Sequence, residues 1–293
     1  MMQRLKDRVA IVTGAGRGIG RAIALELASQ GAAIVLAARS REELEETAQL
    51  VSSAGGRCLA AQTNVADAES VASLCRACLK EFGQIDALVN NAGTQGPIGP
   101  LVENDPAEWL RTLAVNTFGA FLCMREALPH MISRRSGKIV NLSGGGATAP
   151  RPNFSAYGTS KAALVRLTET VAEEVRPYNI QVNAIAPGAV NTRMLEEVLQ
   201  AGEAAGAELQ AAHKRKAEGG VSAREAAQLT AFLVSPASGS LSGKLISGLH
   251  DGWRDWTGDE IARISEKPWF TLRRMDAHTI GPLVSQLKGG GAS

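Results

Sequence analysis

The chain alternates short apolar runs with longer stretches in which apolar residues recur at helical spacing. The short runs are rich in β-forming residues, which is typical of buried strands. Strands are therefore predicted at Val9–Thr13, Ala33–Ala38, Cys58–Gln62, Ala87–Asn90, Lys138–Leu142, Gln181–Ala186 and Leu245–Ser247. Helices are predicted at Gly18–Gln30, Arg41–Ala54, Asp67–Phe82, Pro106–Arg134 (with a break), Ala156–Arg176, Arg193–Lys216 and Ser222–Val234.

Strands that alternate with helices of this length form a parallel sheet with helices on both faces. Right-handed crossovers then give an α/β fold, a single-domain, Rossmann-type, doubly wound sheet at residues 1–252. After this point the alternation stops and an aromatic-rich stretch begins at Trp253. We predict a C-terminal extension at residues 253–293 that packs on the domain or on a partner subunit. Its tryptophans are expected to cap the substrate mouth of their own or a neighbouring subunit, and its last six residues to be disordered.

Composition excludes several classes of function. The chain has 293 residues, of which 45% are hydrophobic and 20% charged, as in a soluble globular protein. The net charge of +2 gives no reason to expect a nucleic-acid or membrane partner. No apolar run reaches about 18 residues, and the first residues contain no apolar signal core, so a cytoplasmic location is expected.

The cysteines and histidines do not form a predicted metal or redox site. Cys75 and Cys78 make a Cys-x-x-Cys inside a predicted helix, with no further ligands in sight. The four histidines are scattered along the sequence. We therefore expect ordinary buried thiols in a reducing compartment.

Two predicted helices are apolar on more than one face, whereas a helix that covers a sheet needs only one apolar stripe. The second face predicts a homo-oligomer, a dimer or tetramer; the alternative is a helix buried deep within one domain. The residues concerned are Leu164, Leu167, Val171 and Val175, with Ala162, Val165 and Ala172 off that stripe, and Trp109, Leu113, Phe118, Phe121, Met124 and Leu128.

A glycine-rich turn follows the first strand and opens the first helix. Residues 13–20 are Thr-Gly-Ala-Gly-Arg-Gly-Ile-Gly. The glycines permit a tight turn and let the backbone approach a pyrophosphate, whose charge the helix N-terminus favours. Because the turn lies within a strand–helix–strand unit, it predicts dinucleotide binding; a merely structural turn is the alternative.

The end of the second strand indicates which dinucleotide is bound. An acid at this point usually binds the ribose hydroxyls of NAD, but residues 36–40 are Leu-Ala-Ala-Arg-Ser. Arg39 is suited to a bidentate grip on a 2′-phosphate, and Arg17 offers a second cation. NADP(H) is therefore predicted as the preferred cofactor, with NAD(H) possible if both arginines are solvated.

Tyr157 and Lys161 lie four residues apart at the start of a predicted helix, so both side chains share one face. A lysine ammonium beside a phenol lowers the tyrosine pKa from its usual value of about 10. A tyrosine changed in this way exchanges a proton near neutral pH. Tyr-x-x-x-Lys is common at helix surfaces, but the dinucleotide-binding turn in the same chain favours a catalytic pair.

Together these motifs resemble the short-chain dehydrogenase/reductase family over roughly residues 5–252, and in particular its 3-oxoacyl-(acyl carrier protein) reductase-like members. The turn at 13–20 matches the family's Thr-Gly-x-x-x-Gly-x-Gly, and residues 90–93 match its Asn-Asn-Ala-Gly. Pro187-Gly188 with Thr192 matches the turn that covers the nicotinamide.

The resemblance implies roles for individual residues. Tyr157 gives a proton to the substrate oxygen, Lys161 assists it and holds the nicotinamide ribose, and Asn116 holds a water that links Lys161 to solvent. Ser143 completes the predicted catalytic set. Cofactor contacts are predicted at Gly14, Gly16, Arg17, Gly18, Ile19, Gly20, Arg39, Ser40, Asn64, Val65, Asn91, Ala92, Gly93, Tyr157, Lys161, Pro187, Gly188, Val190 and Thr192.

The family's catalytic serine is displaced in this chain. It normally stands thirteen residues before the tyrosine, which is Gly144 here, and Ser143 lies one position early. One step along a strand points a side chain to the opposite face. Either a bulge in the glycine run brings the Ser143 hydroxyl into the site, or the serine is absent and another donor or a water polarises the carbonyl. Asn64 also replaces the family's usual aspartate.

The predicted function is the NADPH-dependent, reversible reduction of a small-molecule ketone to a secondary alcohol. Residues 189–220 are predicted to form a lid over the substrate. An NAD-linked alcohol dehydrogenase is the alternative within the same class. A catalytically weak NADP(H)-binding sensor or scaffold is the alternative outside it, because of the displaced serine.

Overall fold

Seven strands form one parallel sheet in this computed structural model, which describes residues 4–274 and residue 281. The strands are β1 Val9–Thr13, β2 Ala33–Ala38, β3 Cys58–Gln62, β4 Ala87–Asn90, β5 Gly137–Leu142, β6 Ile180–Ala186 and β7 Leu245–Ser247. Their order is β3-β2-β1-β4-β5-β6-β7, and all six pairings are parallel. The predicted single-domain, doubly wound α/β fold is therefore confirmed.

Ten α-helices lie within the described residues. They are α1 Gly18–Ser29, α2 Arg41–Ser53, α3 Ala68–Phe82, α4 Pro106–Leu113, α5 Gly119–Arg134, α6 Ser155–Val175, α7 Arg193–Ala201, α8 Ala207–Glu218, α9 Ala223–Val234 and α10 Gly258–Glu266. The break predicted in the long fourth helix is a π-helical turn, Ala114–Phe118. The stretch predicted as one helix, Arg193–Lys216, is two helices separated by the 3-10 turn Gly202–Ala205. None of the described helices is long and apolar enough to cross a membrane.

Helices cover both faces of the sheet. Successive strand residues point to opposite faces, so each strand contributes apolar side chains to both. On one side Val12 and Leu36 pack in a cluster with α1 and α9. On the other side Ile11 and Val35 pack in a cluster with α3, α5 and α6. Burial on both faces explains why the strand segments are continuous apolar runs in the sequence.

The strand order reverses at β1, which lies between β2 and β4. In an open parallel sheet such a reversal leaves a crevice at the carboxyl ends of the two adjacent strands where it occurs, here β1 and β4. The glycine-rich turn leaves β1 at this edge, and residues 91–93 leave β4 at the same edge. The fold therefore brings the two predicted cofactor segments together.

The described part of the C-terminal extension packs on its own chain. Trp253 is buried against Phe232 of α9, with ring centroids 5.5 Å apart. Trp256 and Trp269 pack against the same cluster, which lies on the α1 and α9 side of the sheet. Within this chain the described tryptophans of the extension lie in a different cluster from Tyr157; that they cap the substrate mouth of a neighbouring subunit stays a prediction. The division at residue 252 stays a prediction, and the last six residues lie outside the described part.

A strap of backbone, residues 267–272, ties this extension to the sheet edge and to α6. Leu245 of β7 donates its N–H to Phe270 O at 2.7 Å. Leu272 N donates to Glu169 Oε1 at 2.6 Å, and Arg166 Nη2 donates to Leu272 O at 2.7 Å. The strap therefore contacts the second half of α6, away from the first turn of that helix.

The two helices with additional apolar faces differ in how those faces are covered. On α6, Val165 and Ala172 are buried within the chain itself. Phe118 and Phe121, at the junction of the π-helical turn and α5, are exposed and stack on one another at a centroid distance of 5.7 Å. Among the residues that the structure describes, an exposed apolar face therefore remains at the start of α5, whereas Val165 and Ala172 of α6 are covered.

The buried thiols have the properties of structural cysteines. Cys75, Cys78 and Cys123 are free and buried, and burial raises the pKa of each thiol to about 12. A thiol with so high a pKa carries almost no thiolate near neutral pH and is a poor nucleophile.

Candidate active site

The turn between β1 and α1 is built from positions that leave no room for side chains. Gly14 has a φ of +64°, and a Cβ there would lie 2.7 Å from Asn91 Nδ2. A Cβ on Gly20 would overlap Gly14 O. The first turn of α1 therefore rests directly on the loop backbone. No side chain caps the start of α1 in the described structure, so its first N–H groups suit a pyrophosphate.

The segment after β4 fixes this turn in position. Thr13 Oγ1 accepts hydrogen bonds from Asn91 N and Ala92 N, each at 3.0 Å. Asn91 Nδ2 donates to Thr13 O at 2.8 Å and to Gly14 O at 3.2 Å. Asn91 and Ala92, predicted as cofactor contacts, thus support the turn. The supporting role of Thr13 was missed, although this threonine is the first residue of the turn motif.

Among the described residues, the two arginines predicted at the adenosine end differ in their partners. Arg39 is exposed, and its guanidinium makes no hydrogen bond or ion pair with any described residue. Arg17 Nη1 is instead paired with Glu43 Oε1 at 2.8 Å. Glu43 was not predicted; it follows from the cap of α2, where Ser40 Oγ accepts from Glu43 N at 3.2 Å.

Four other predicted cofactor contacts near this end also make hydrogen bonds or packing contacts within the protein. Asn64 Oδ1 accepts from Ala66 N at 3.2 Å, so one of its lone pairs is in use. Val65 is buried next to Gly119, the first residue of α5. Ile19 packs against the cluster on the α1 and α9 side. Gly16 has no space for a side chain, because a Cβ there would lie 2.8 Å from Glu43 Cβ.

Tyr157 and Lys161 lie in the first two turns of α6, and both are buried, with 8% and 3% of their surface exposed. Lys161 Nζ donates to Leu142 O, the last residue of β5, at 2.8 Å. The same ammonium lies 5.5 Å from the centroid of the Tyr157 ring. The lysine is thus fixed between the sheet edge and the phenol.

Asn116 reaches the same place from the π-helical turn. Its Nδ2 donates to Thr94 O and to Ser160 Oγ, each at 2.9 Å, and its Oδ1 accepts from Thr94 N at 2.8 Å. A Cβ on Gly93 would lie 3.3 Å from Asn116 Oδ1 and 3.5 Å from Lys161 Nζ. Gly93 therefore marks the point where Asn116, Lys161 and the segment after β4 converge.

The displaced serine does not face the tyrosine. Gly144 lies directly opposite Tyr157, since a Cβ on Gly144 would overlap the tyrosine hydroxyl. Ser143 is buried, and its Oγ donates to Lys161 O at 3.5 Å. No hydrogen bond joins Ser143 to the Tyr157 hydroxyl in the described residues. Ser143 and Gly144 directly follow β5, and position 144, not Ser143, is the one that faces the tyrosine hydroxyl.

The ionisation of the pair differs from expectation in one respect. Burial raises the pKa of Tyr157, and the Arg151 guanidinium opposes this change in part. Burial lowers the pKa of Lys161 to about 8. The expected lowering of the tyrosine pKa by lysine is therefore not found in the cofactor-free protein. Both groups lose hydration in the same pocket, which disfavours phenolate and ammonium alike.

The lid stands between the glycine-rich turn and the tyrosine. Thr192 immediately precedes α7, and a Cβ on Gly18 would lie 3.5 Å from its Cγ2. Before it, Gly188 has a φ of +81° after buried Pro187, and Val190 pairs with Val221. The apolar side of this segment packs beside Phe154 and Tyr157, and its buried members are Leu195, Val198, Ala205 and Ala212.

Known proteins match this chain in sequence and in fold. The model of the short chain dehydrogenase family matches residues 8–203, from the start of β1 into the lid. The chain is a short-chain dehydrogenase. Members of the family are nucleotide-dependent oxidoreductases, and this short-chain dehydrogenase acts on an alcohol or ketone group.

Three relatives of this short-chain dehydrogenase show how far the similarity extends. The cis-4-hydroxycyclohexanecarboxylate dehydrogenase of Sinomonas cyclohexanicum is 36% identical over 249 residues, 84% of this chain and 97% of that protein. The 3-oxoacyl-(acyl-carrier-protein) reductase FabG of Staphylococcus aureus is 38% identical over 189 residues, 64% of this chain and 76% of that protein. The crystal structure of an NAD+-bound xylitol dehydrogenase has a TM-score of 0.78 at 33% identity, covering 83% of this chain and 98% of that chain.

Proposed function

We propose that this short-chain dehydrogenase reduces a ketone to a secondary alcohol with NADPH, reversibly, and that Tyr157 exchanges the proton. The supporting observation is the position of the Tyr157 hydroxyl, opposite Gly144 at the carboxyl edge of the sheet and beside an apolar lid. NADPH, held by the glycine-rich turn and the start of α1, would supply a hydride to the carbonyl carbon. Tyr157 gives its proton to the carbonyl oxygen, and in the reverse direction takes it from the alcohol.

Lys161 and Asn116 support this proton exchange. The ammonium is held by Leu142 O, and its pKa of about 8 lets it exchange a proton close to neutral pH. Asn116 Oδ1 retains one lone pair beyond its bond with Thr94 N, which suits a water next to Lys161. We propose that a proton reaches Tyr157 from solvent by this route.

Arg39 supports a preference for NADP(H), because its exposed guanidinium is free to grip a 2′-phosphate. We expect Arg39→Ala to weaken NADPH binding by about 10- to 100-fold, the loss of a charged hydrogen bond, and to leave NADH binding unchanged. Arg41→Ala is the matched control, since Arg41 is paired with Glu45 on α2. Dissociation constants from calorimetry measure both.

An equal loss of affinity for NADPH and NADH in Arg39→Ala would contradict this preference. NAD(H) is the alternative, and the compared xylitol dehydrogenase structure is NAD+-bound. If Arg39→Ala keeps the wild-type affinity for both cofactors, Arg39 is solvated, and the NAD-linked oxidation of an alcohol becomes the better proposal.

The absence of a serine side chain at position 144 favours the second candidate, a weakly catalytic NADP(H)-binding sensor or scaffold. Loss of one oxyanion-type donor costs about 10²–10³ in rate, so the enzyme proposal expects slow but measurable turnover. The test is a panel of cyclic hydroxy acids, 3-oxoacyl thioesters, sugar alcohols and simple ketones, followed by the absorbance of the reduced nicotinamide. No turnover across the panel would support the scaffold.

We further propose that the protein is a homo-oligomer that covers Phe118, Phe121 and the exposed Leu110 of α4. Aromatic residues that stay exposed as a pair indicate a contact surface. We expect Phe121→Asp to lower the molar mass in light scattering from a dimer or tetramer to a smaller species. Leu50→Asp, at an exposed leucine of α2, is the control. A monomeric wild-type protein would contradict the proposal.

A further inference from the structure

A partly buried ion pair connects the lid to the loop that precedes the catalytic helix. Arg151 stands between β5 and α6, and Glu208 stands in the first turn of α8. Arg151 Nε and Nη2 donate to the two carboxylate oxygens of Glu208, each at 3.2 Å. The two side chains are 14% and 32% exposed. This bidentate geometry fixes the guanidinium more firmly than a single contact does.

The face of the same guanidinium lies on aromatic rings. Arg151 Cζ is 3.8 Å from the centroid of the Phe154 ring and 5.4 Å from the centroid of the Tyr157 ring. Its edge is thus held by Glu208 and its face by Phe154. A positive charge is therefore held beside the phenol that exchanges the proton.

This charge stands in a site without the family's serine. Gly144 occupies the position opposite the Tyr157 hydroxyl, and Ser143 turns towards Lys161 O. The second cation near the ring, Lys161, has its ammonium bound to Leu142 O. Arg151 is thus a second charged group near Tyr157, with its Cζ 5.4 Å from the ring centroid.

We propose that Arg151 is a positioning residue that acts through Tyr157, supplying the positive charge beside the phenol where no serine is present, and that Glu208 of the lid holds it there. The inference rests on the proposed role of Tyr157 in proton exchange. Because Glu208 belongs to α8, the charge is in place only while the lid is docked. Docking of the lid and readiness for proton exchange are thereby coupled.

The charged groups around Tyr157 predict the direction of the effect. Arg151, on the loop before α6, is the positive group that favours the phenolate, whereas Lys161 on α6 does not contribute to the pKa shift of Tyr157. Glu208 on α8 is negative, stands one side chain further away, and also accepts from Arg215 Nη2 at 3.4 Å. Arg151 opposes the raised pKa that burial gives Tyr157. Removal of the Arg151 charge is therefore expected to raise that pKa further.

The chain has two tyrosines, which allows a direct measurement. In a Tyr178→Phe background, incorporated 3,5-difluorotyrosine labels position 157 alone, and its phenol ionises at a lower pH than tyrosine does. The fluorine chemical shift then reports ionisation in the folded, cofactor-free protein. We expect Arg151→Met and Arg151→Gln to raise the midpoint by about one pH unit. Methionine keeps the apolar stem over Phe154, and glutamine is a second variant that removes the charge.

Arg215→Met is the matched control, because Arg215 binds the same carboxylate without a contact to the Tyr157 ring; its midpoint should equal that of the wild type. Arg151→Lys keeps the charge and should also stay at the wild-type midpoint. The proposal is overturned if Arg151→Met titrates like Arg215→Met, or if Arg151→Lys rises as far as Arg151→Met.

Kinetics separate this inference from the proposed function. In alcohol oxidation the phenolate takes the proton, so kcat/KM rises with pH, and we expect this rise to move up by about one pH unit in Arg151→Met. A shifted fluorine midpoint with no turnover in any variant would overturn the proposed function alone. Turnover with an unshifted fluorine midpoint would overturn the role of Arg151 alone.

Discussion

Replacing Tyr157 with phenylalanine is expected to lower kcat by about 10²- to 10⁴-fold, the usual contribution of a positioned proton donor. The change removes one oxygen atom and keeps the ring between Lys161 and the lid. The hydroxyl makes no hydrogen bond with any described residue, so its loss leaves no buried partner unsatisfied. The free energy of unfolding should therefore change little.

The Tyr157→Phe experiment compares steady-state kinetics with the dissociation constant of the reduced cofactor. Cofactor affinity should stay within about threefold of wild type, less than 0.7 kcal/mol, because the glycine-rich turn and Lys161 are untouched. Tyr178→Phe, at the other tyrosine of the chain, is the matched control and should keep full activity. Turnover retained in Tyr157→Phe would remove the proposed proton donor and, with it, the mechanism.

Gly20→Ala is expected to abolish cofactor binding at ordinary concentrations. A Cβ at this position would overlap Gly14 O and lie 2.5 Å from Asn91 Nδ2, so neither neighbour has room for it. Helix α1 must move away from the turn, which withdraws its N–H groups from the pyrophosphate. We expect a loss of affinity of at least about 100-fold and a loss of about 1–3 kcal/mol in the free energy of unfolding.

The control for this steric prediction is Gly258→Ala at the start of α10. A Cβ at Gly258 meets no atom within 4 Å, so the same added methyl group should leave stability and affinity unchanged. Calorimetric titration and urea denaturation give the two quantities separately. Wild-type cofactor affinity in Gly20→Ala would show that close packing of α1 on the turn is not required for cofactor binding.

The strands and helix ends were predictable because their signals are local. Asp67 Oδ1 accepts from Ser70 N at 2.7 Å at the start of α3, and Gly83 ends that helix with a φ of +74°. A capping side chain and a left-handed glycine each act within a few residues. The division of the lid into α7 and α8 was missed, although Gly202 and Gly206, at φ +57° and +58°, carry the signal.

The candidate site was predictable where its residues follow a strand end or share a helix turn. Tyr157 and Lys161 are adjacent on α6 by helical spacing alone. The pair formed by Arg151 and Glu208 joins positions 57 residues apart, and no local pattern indicates it. The pKa of Tyr157 likewise depends on burial by the lid, which the spacing of two residues does not report.

The strap at residues 267–272 has a consequence for recombination between relatives. It binds Arg166 and Glu169, which lie one to two turns beyond Lys161 on the same helix. A chimaera that exchanges the C-terminal segment without these two residues would lose the hydrogen bonds that join the strap to α6, the helix that carries Tyr157. A productive crossover point therefore has to keep residues 166–169 and 267–272 from the same parent.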